Sequence, residues 1–109
     1  MKQLLLCLWL IGLSPVVMAE GNASYEEDIR LIEIDDADCA VNDGKMVAIQ
    51  NLNQKETLVV WIDRWFMDKQ TPDHTRQVLP PNKMPTMLGC SMTRAGKQHW
   101  TIYSIQPQP

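Results

Sequence analysis

Between Leu58 and Met67 the chain runs Leu-Val-Val-Trp-Ile-Asp-Arg-Trp-Phe-Met, the densest β-branched and aromatic stretch downstream of its N-terminal segment. Such side chains suit a pleated, packed surface. Alternation places Leu58, Val60, Ile62 and Phe66 on one face and Val59, Trp61, Trp65 and Met67 on the other. Asp63 and Arg64 interrupt one face each. A run that is apolar on both sides predicts a strand central in its sheet, with neighbours on either edge.

Shorter alternating runs flank it. Ile29 to Ile34 predicts a first strand, ended by Asp35-Asp36-Ala37-Asp38. Asn42-Asp43-Gly44 supplies turn chemistry, since Gly tolerates positive φ and Asn and Asp bond back to the backbone. Met46 to Leu52 follows as a second strand with Val47 and Ile49 inward. After Met67, the polar run from Asp68 to His74 predicts a loop with room for one helical turn. Gln77 to Leu79 predicts a short strand, stopped by Pro80-Pro81, which cannot donate ladder hydrogen bonds. Thr86 to Cys90 is another, with Leu88 and Cys90 on one face. Ser91 to Lys97 turns around Gly96. Gln98 to Gln106 is the last strand, with Trp100 and Ile102 on one face and Tyr103 and Ile105 on the other.

Six short strands separated by turns predict an all-β fold. The expected form is a small immunoglobulin-like β-sandwich, with a five-stranded Greek-key barrel as the alternative. The strand, polar loop, strand and Pro-rich turn leading to Leu88-Gly89-Cys90-Ser91 resemble immunoglobulin-like periplasmic modules in pattern, and a fold of this kind does not fix a function.

The N-terminus has a different character. Lys2 precedes a compact apolar run from Leu4 to Leu13, Ser14-Pro15 breaks it, and Val17-Met18-Ala19 offers small residues for a signal peptidase. This predicts an N-terminal signal helix cleaved after Ala19. The run is short of the roughly 20 residues that span a bilayer. The expected organisation is a signal peptide over residues 1–19, a disordered acidic N-terminus over 20–27, a single β domain over 28–106 and a tail over 107–109. The mature protein is expected in the periplasm or secreted, without a membrane anchor.

Charge changes the picture little. The net charge of −3 argues against nucleic acid as a partner. From Glu20 to Asp43 nine acids face Arg30 alone. Such runs are usually solvated faces that keep strand edges from pairing, and less often docking surfaces for basic partners.

Cysteine usage matters more. Cys7 leaves with the signal peptide, so Cys39 and Cys90 remain as a pair in an exported domain, where disulfides persist. A cross-link closing a loop of this length restricts the unfolded chain by about 4 kcal/mol in the entropy model. The bond is expected to join an early element to a late one and to pin the two layers together.

Candidate chemistry is sparse. The chain holds two histidines, His74 and His99, and no Walker loop, H-E-x-x-H or CxxC motif. Gly89-Cys90-Ser91 lacks the G-x-S-x-G elbow. No enzyme activity and no cofactor are expected. The leading expectation is a disulfide-stabilised protein-binding module: an inhibitor, an immunity factor or an assembly accessory. Its candidate contacts are Trp61, Asp63 and Trp65 on the central strand and Asp73, His74 and Arg76 in the polar segment that follows, because loops on rigid sheets tend to carry function. The opposing expectation buries Trp61 and Trp65 against Trp100, since large aromatics supply much of a small core. One alternative is a soft-metal site for copper, drawn from His74, Met84, Met87, Met92 and His99, where imidazole and thioether suit Cu(I). Another is a glycan or cell-wall surface on Trp61 and Trp65.

Overall fold

The computed structural model describes residues 23–82 and 84–109. The signal peptide expected over 1–19 lies outside them. The elements are α1 (Ala23–Glu26), β1 (Ile29–Ile34), α2 (Ala37–Ala40), β2 (Met46–Asn51), β3 (Leu58–Phe66), β4 (Lys69–Leu79), β5 (Thr86–Cys90), β6 (Met92–Thr93) and β7 (Gly96–Pro107). They form two antiparallel sheets, one of order β1-β2-β5 and one of order β4-β3-β7-β6. The chain is thus a small all-β sandwich and not a closed barrel.

The apolar run from Leu58 occupies the place its pattern demands. β3 is paired on one edge by β4 and on the other by β7. Leu58, Val60 and Ile62 point between the layers and are buried there with Ile29, Val47, Ile49, Leu79 and Trp100. Each such side chain contributes about 1.5–3 kcal/mol by leaving water. Tyr25, Leu31, Leu88, Ile102 and Ile105 pack around this centre, half exposed. Gly89 leaves room for the indole of Trp100: a Cβ there would lie 3.0 Å from the ring, at a φ of 156°.

One polar side chain ties the layers. Asn51, buried at the end of β2, donates through Nδ2 to the Leu79 carbonyl of β4 at 2.8 Å and to the Glu56 carbonyl at 3.0 Å. Its Oδ1 accepts from the Asn53 backbone N–H at 2.8 Å. A buried amide is tolerated at this depth because its hydrogen bonds are made.

Cys39 and Cys90 form the expected disulfide, with an S–S distance of 2.08 Å and Cα atoms 5.3 Å apart. It does not pin the two layers. Cys39 sits in α2, the connection between β1 and β2, and Cys90 ends β5, so the bond ties that connection to an edge strand of the same three-stranded sheet. Two sulfurs far apart in sequence need not lie in different layers when the strand order brings β5 beside β2. Asp36 positions Cys39 by capping α2, its Oδ1 accepting from the Asp38 and Cys39 backbone N–H groups at 2.9 and 3.1 Å. A buried disulfide in a domain this small is compatible with an oxidising compartment.

Three other expectations are corrected. The polar stretch from Asp68 to His74 is not a loop. From Lys69 it is part of the 11-residue strand β4, joined to β3 by a tight turn in which Met67 and Asp68 adopt φ values of 51° and 66°. A strand at the edge of a sheet needs no apolar face, so hydrophobic pattern alone misses it. Within the stretch expected to be disordered, Ala23–Glu26 forms a helical turn, and its Tyr25 rests on the core. In the last strand, Tyr103 and Ile105 do not share a face. The register with β3 shifts from Trp61↔Ser104 to Ile62↔Ile102, and the extra residue, Tyr103, is the exposed one. This bulge lets Ile102 and Ile105 both pack on the core.

Candidate binding face

The outer face of the four-stranded sheet gathers most of the residues singled out in the sequence. Alternation on β3 puts Trp61, Asp63 and Trp65 on the side opposite Val60 and Ile62. Register then brings His74 opposite Asp63 and Arg76 opposite Trp61 on β4, and His99 opposite Trp65 on β7. Trp61 and Trp65 are half-buried on this face and are not packed with Trp100, which belongs to the core on the other side. The core placement expected for the pair is therefore corrected. The three β-branched or γ-branched side chains Leu58, Val60 and Ile62, with their partners across the layers, already fill the interior.

The rings are organised by cross-strand pairs. The indole of Trp61 stacks on the imidazole of His74, with centroids 4.8 Å apart and planes 20° apart. Trp65 stacks on His99 at 5.8 Å and 8°. Tyr103 meets His74 edge-on at 4.9 Å and 87°. The Trp65 indole N–H donates to Thr101 Oγ1 at 2.9 Å, which satisfies its polar edge without burying it.

Asp63 is the fixed polar point of the face. It is only 8% exposed, yet its Oδ1 lies 2.6 Å from His74 Nδ1. Hydrogen bonding to the carboxylate keeps the proton on Nδ1, so Nε2 of neutral His74 is left as an acceptor, and it becomes a second donor when the ring is protonated. The imidazole is thereby held in one orientation, against Trp61 on one side and Tyr103 on another.

Not every candidate joins this face. Asp73 lies on the other side of β4, exposed at the sheet edge, where its Oδ2 accepts from Arg64 Nε at 2.7 Å. Arg64 Nη1 also donates to Gln98 Oε1 at 3.0 Å, and Gln98 Nε2 donates to the Cys90 carbonyl at 2.7 Å. Thr71 and Asp73 lie in a bulge around Pro72: three residues of β4 face Arg64 alone, and Thr71 Oγ1 donates to the Arg64 carbonyl at 3.0 Å. Because the insertion is of two residues, alternation is kept across it: His74 stays on the outer side with Gln70, and Asp73 falls on the inner one.

The residues named for a metal are dispersed. His74 and His99 flank β3 on the outer face. Met87 lines a cleft of about 350 Å³ between β4 and β5, with Arg64, Asp73 and Thr75. Met92, on β6, packs its backbone on Gly44, where a Cβ would meet Met92 N at 2.8 Å. Met84 is exposed in the connection after β4, and Met67 in the β3–β4 turn. Among the described residues no group of three or more His, Cys, Asp or Glu side chains is placed to hold a metal ion.

Sequence reasoning missed Tyr103 and Thr101 as members of the face. Both follow the alternation of β7 from His99, but which face of that strand is the outer one, and that Tyr103 meets His74, is set by pairing with β3 and β4. Comparison of the chain with protein-family models, with curated proteins and with solved structures finds no match. What fold and face define is a two-layer antiparallel module carrying tryptophan, histidine and tyrosine on an exposed sheet surface.

Proposed function

We propose that this chain is a non-enzymatic, exported protein-binding module, of the kind that serves as an inhibitor, immunity factor or assembly accessory, and that it contacts its partner through the outer face of the four-stranded sheet. The observation that carries this reading is the position of Trp61, Trp65 and Tyr103. These large rings stand on solvent-facing strand positions while the core is filled without them. Tryptophan and tyrosine held in fixed orientations are the residues that dominate protein interfaces, because they bury much area and lose little freedom on binding. Stacking on His74 and His99 fixes those orientations beforehand.

The same geometry favours a protein over a glycan. One π face of each indole is already covered by an imidazole, which reduces the surface on which a sugar ring can stack. The test is capture from periplasmic extract by the tagged mature protein and by its Trp65→Ala variant. A stoichiometric partner retained by the first and lost by the second, with unchanged far-ultraviolet circular dichroism, supports the reading. Equal capture by both, or none under mild salt, overturns it.

A further inference from the structure

We infer that the open edge of β7 accepts an extended strand from a partner protein, with apolar side chains at alternate positions and a basic residue beside Glu26. Open strand edges present unpaired N–H and C=O groups and are normally blunted by charge, proline, bulges or shortness. Three of the four edges here are blunted. β1 carries Arg30 and Glu33. β4 carries Lys69, Pro72, Asp73 and Arg76, with the bulge at Pro72. β5 is five residues long, follows Pro85 and contains Gly89.

β7 is the least protected: it bulges at Tyr103 and α1 packs beside it, but no charge, proline or shortness guards its free edge. Its pairing with β6 is confined to Gly96 and Lys97, after which Gln98 N–H donates to the Ser91 carbonyl. From His99 to Gln106 the sequence is His-Trp-Thr-Ile-Tyr-Ser-Ile-Gln, without proline, lysine, arginine or acid. Beside this stretch lies a cleft of about 460 Å³, lined by Ile102, Tyr103, Ser104, Ile105, Gln106 and Glu26. Ile102 and Ile105 pack on the core but remain half exposed, as does Leu31 of β1. A strand added along β7 places every second side chain over them and completes the main-chain ladder.

Charge selects the occupant. Glu26 is exposed beside the cleft, next to exposed Glu27, and neither forms an ion pair among the described residues. A second copy would bring its own β7, which holds no basic residue from His99 to Gln106 other than a histidine. A partner strand bearing lysine or arginine meets the acidic side chains directly.

This inference rests on the reading of the chain as a protein-binding module, but it is read at a different surface. Short synthetic peptides of alternating valine and threonine, with lysine or glutamate at both ends, are titrated into the ¹⁵N-labelled mature protein. The lysine-ended peptide is expected to shift resonances and slow amide exchange within His99–Gln106. It should bind about threefold more tightly than the glutamate-ended one, the size of an exposed ion-pair effect. Glu26→Lys should reverse that preference. Absence of protection at millimolar peptide overturns the inference. So do shifts confined to Trp61, Trp65 and His74, or protection in peptide-free protein that rises with its concentration, which would mark a second copy. Loss of capture in Trp65→Ala is scored separately, so either idea can fail without the other.

Discussion

Removing the Cys39–Cys90 bond should cost this domain much of its stability. The cysteines are 51 residues apart. In the loop-entropy model, closing a loop of that length lowers the entropy of the unfolded chain by about 14 cal/mol/K, or about 4 kcal/mol at 25 °C. A folded body of this size has about 4–13 kcal/mol in total. With a urea slope of about 2 kcal/mol/M, the unfolding midpoint should fall by about 2 M. Two perturbations separate the cross-link from packing. Reduction of the wild type leaves both sulfurs in place, whereas Cys39→Ala with Cys90→Ala also empties the fully buried Cys39 site, so the double variant should be the less stable. The loss should have a place as well as a size. β5 is an edge strand held by β2 and by the disulfide, so its amides from Thr86 to Cys90 should show the largest gain in hydrogen exchange. A loss below about 1 kcal/mol in both forms would refute the argument. So would exchange that rises first in β3.

Other outcomes follow from the same contacts. Asn51→Ala leaves the Leu79 and Glu56 carbonyls and the Asn53 N–H without their buried partner and should cost about 2–3 kcal/mol by urea denaturation, whereas a loss under 0.5 kcal/mol would show that the layers are not joined there. Met67 holds a left-handed φ that favours Asn or Gly, so Met67→Asn should raise stability by about 0.5–1 kcal/mol, read as a higher midpoint on thermal unfolding; a lower one would mean that its contact with Gly96 matters more. The hydrogen bond from Lys45, 2.6 Å away, and then its charge hold the Asp35 carboxyl below its ordinary 3.8, and the same bond with the charge of Asp35 raises the Lys45 ammonium above 10.5. The stabilisation from Asp35 is therefore complete above pH 3.8 and is lost as pH falls through the lowered value, while that from Lys45 is complete below pH 10.5 and is lost as pH rises through the raised one. In Lys45→Met, the Asp35 carboxyl midpoint followed by NMR should move up toward 3.8, and an unchanged midpoint would refute the pairing.

The chain's hydrophobic alternation determined the class of fold and the strand at its centre, and its cysteines pointed to the disulfide. Those features depend on local pattern and composition: Leu58, Val60 and Ile62 recur at period two, and Cys39 and Cys90 are the cysteines outside the N-terminal apolar run. Tertiary structure alone decided the rest. It made β4 a strand, because pairing with β3 at a sheet edge requires backbone groups and not an apolar face. It closed the disulfide within one layer, because strand order sets which elements are neighbours. It turned Trp61 and Trp65 outward, because Trp100 and the aliphatic side chains fill the space between the sheets. It also turned Ile105 inward beside Ile102, since one extra residue in β7 inverts every side chain beyond Tyr103. Alternation fixes which residues share a face of their own strand; bulges and register, which balance packing across several strands at once, decide which faces meet.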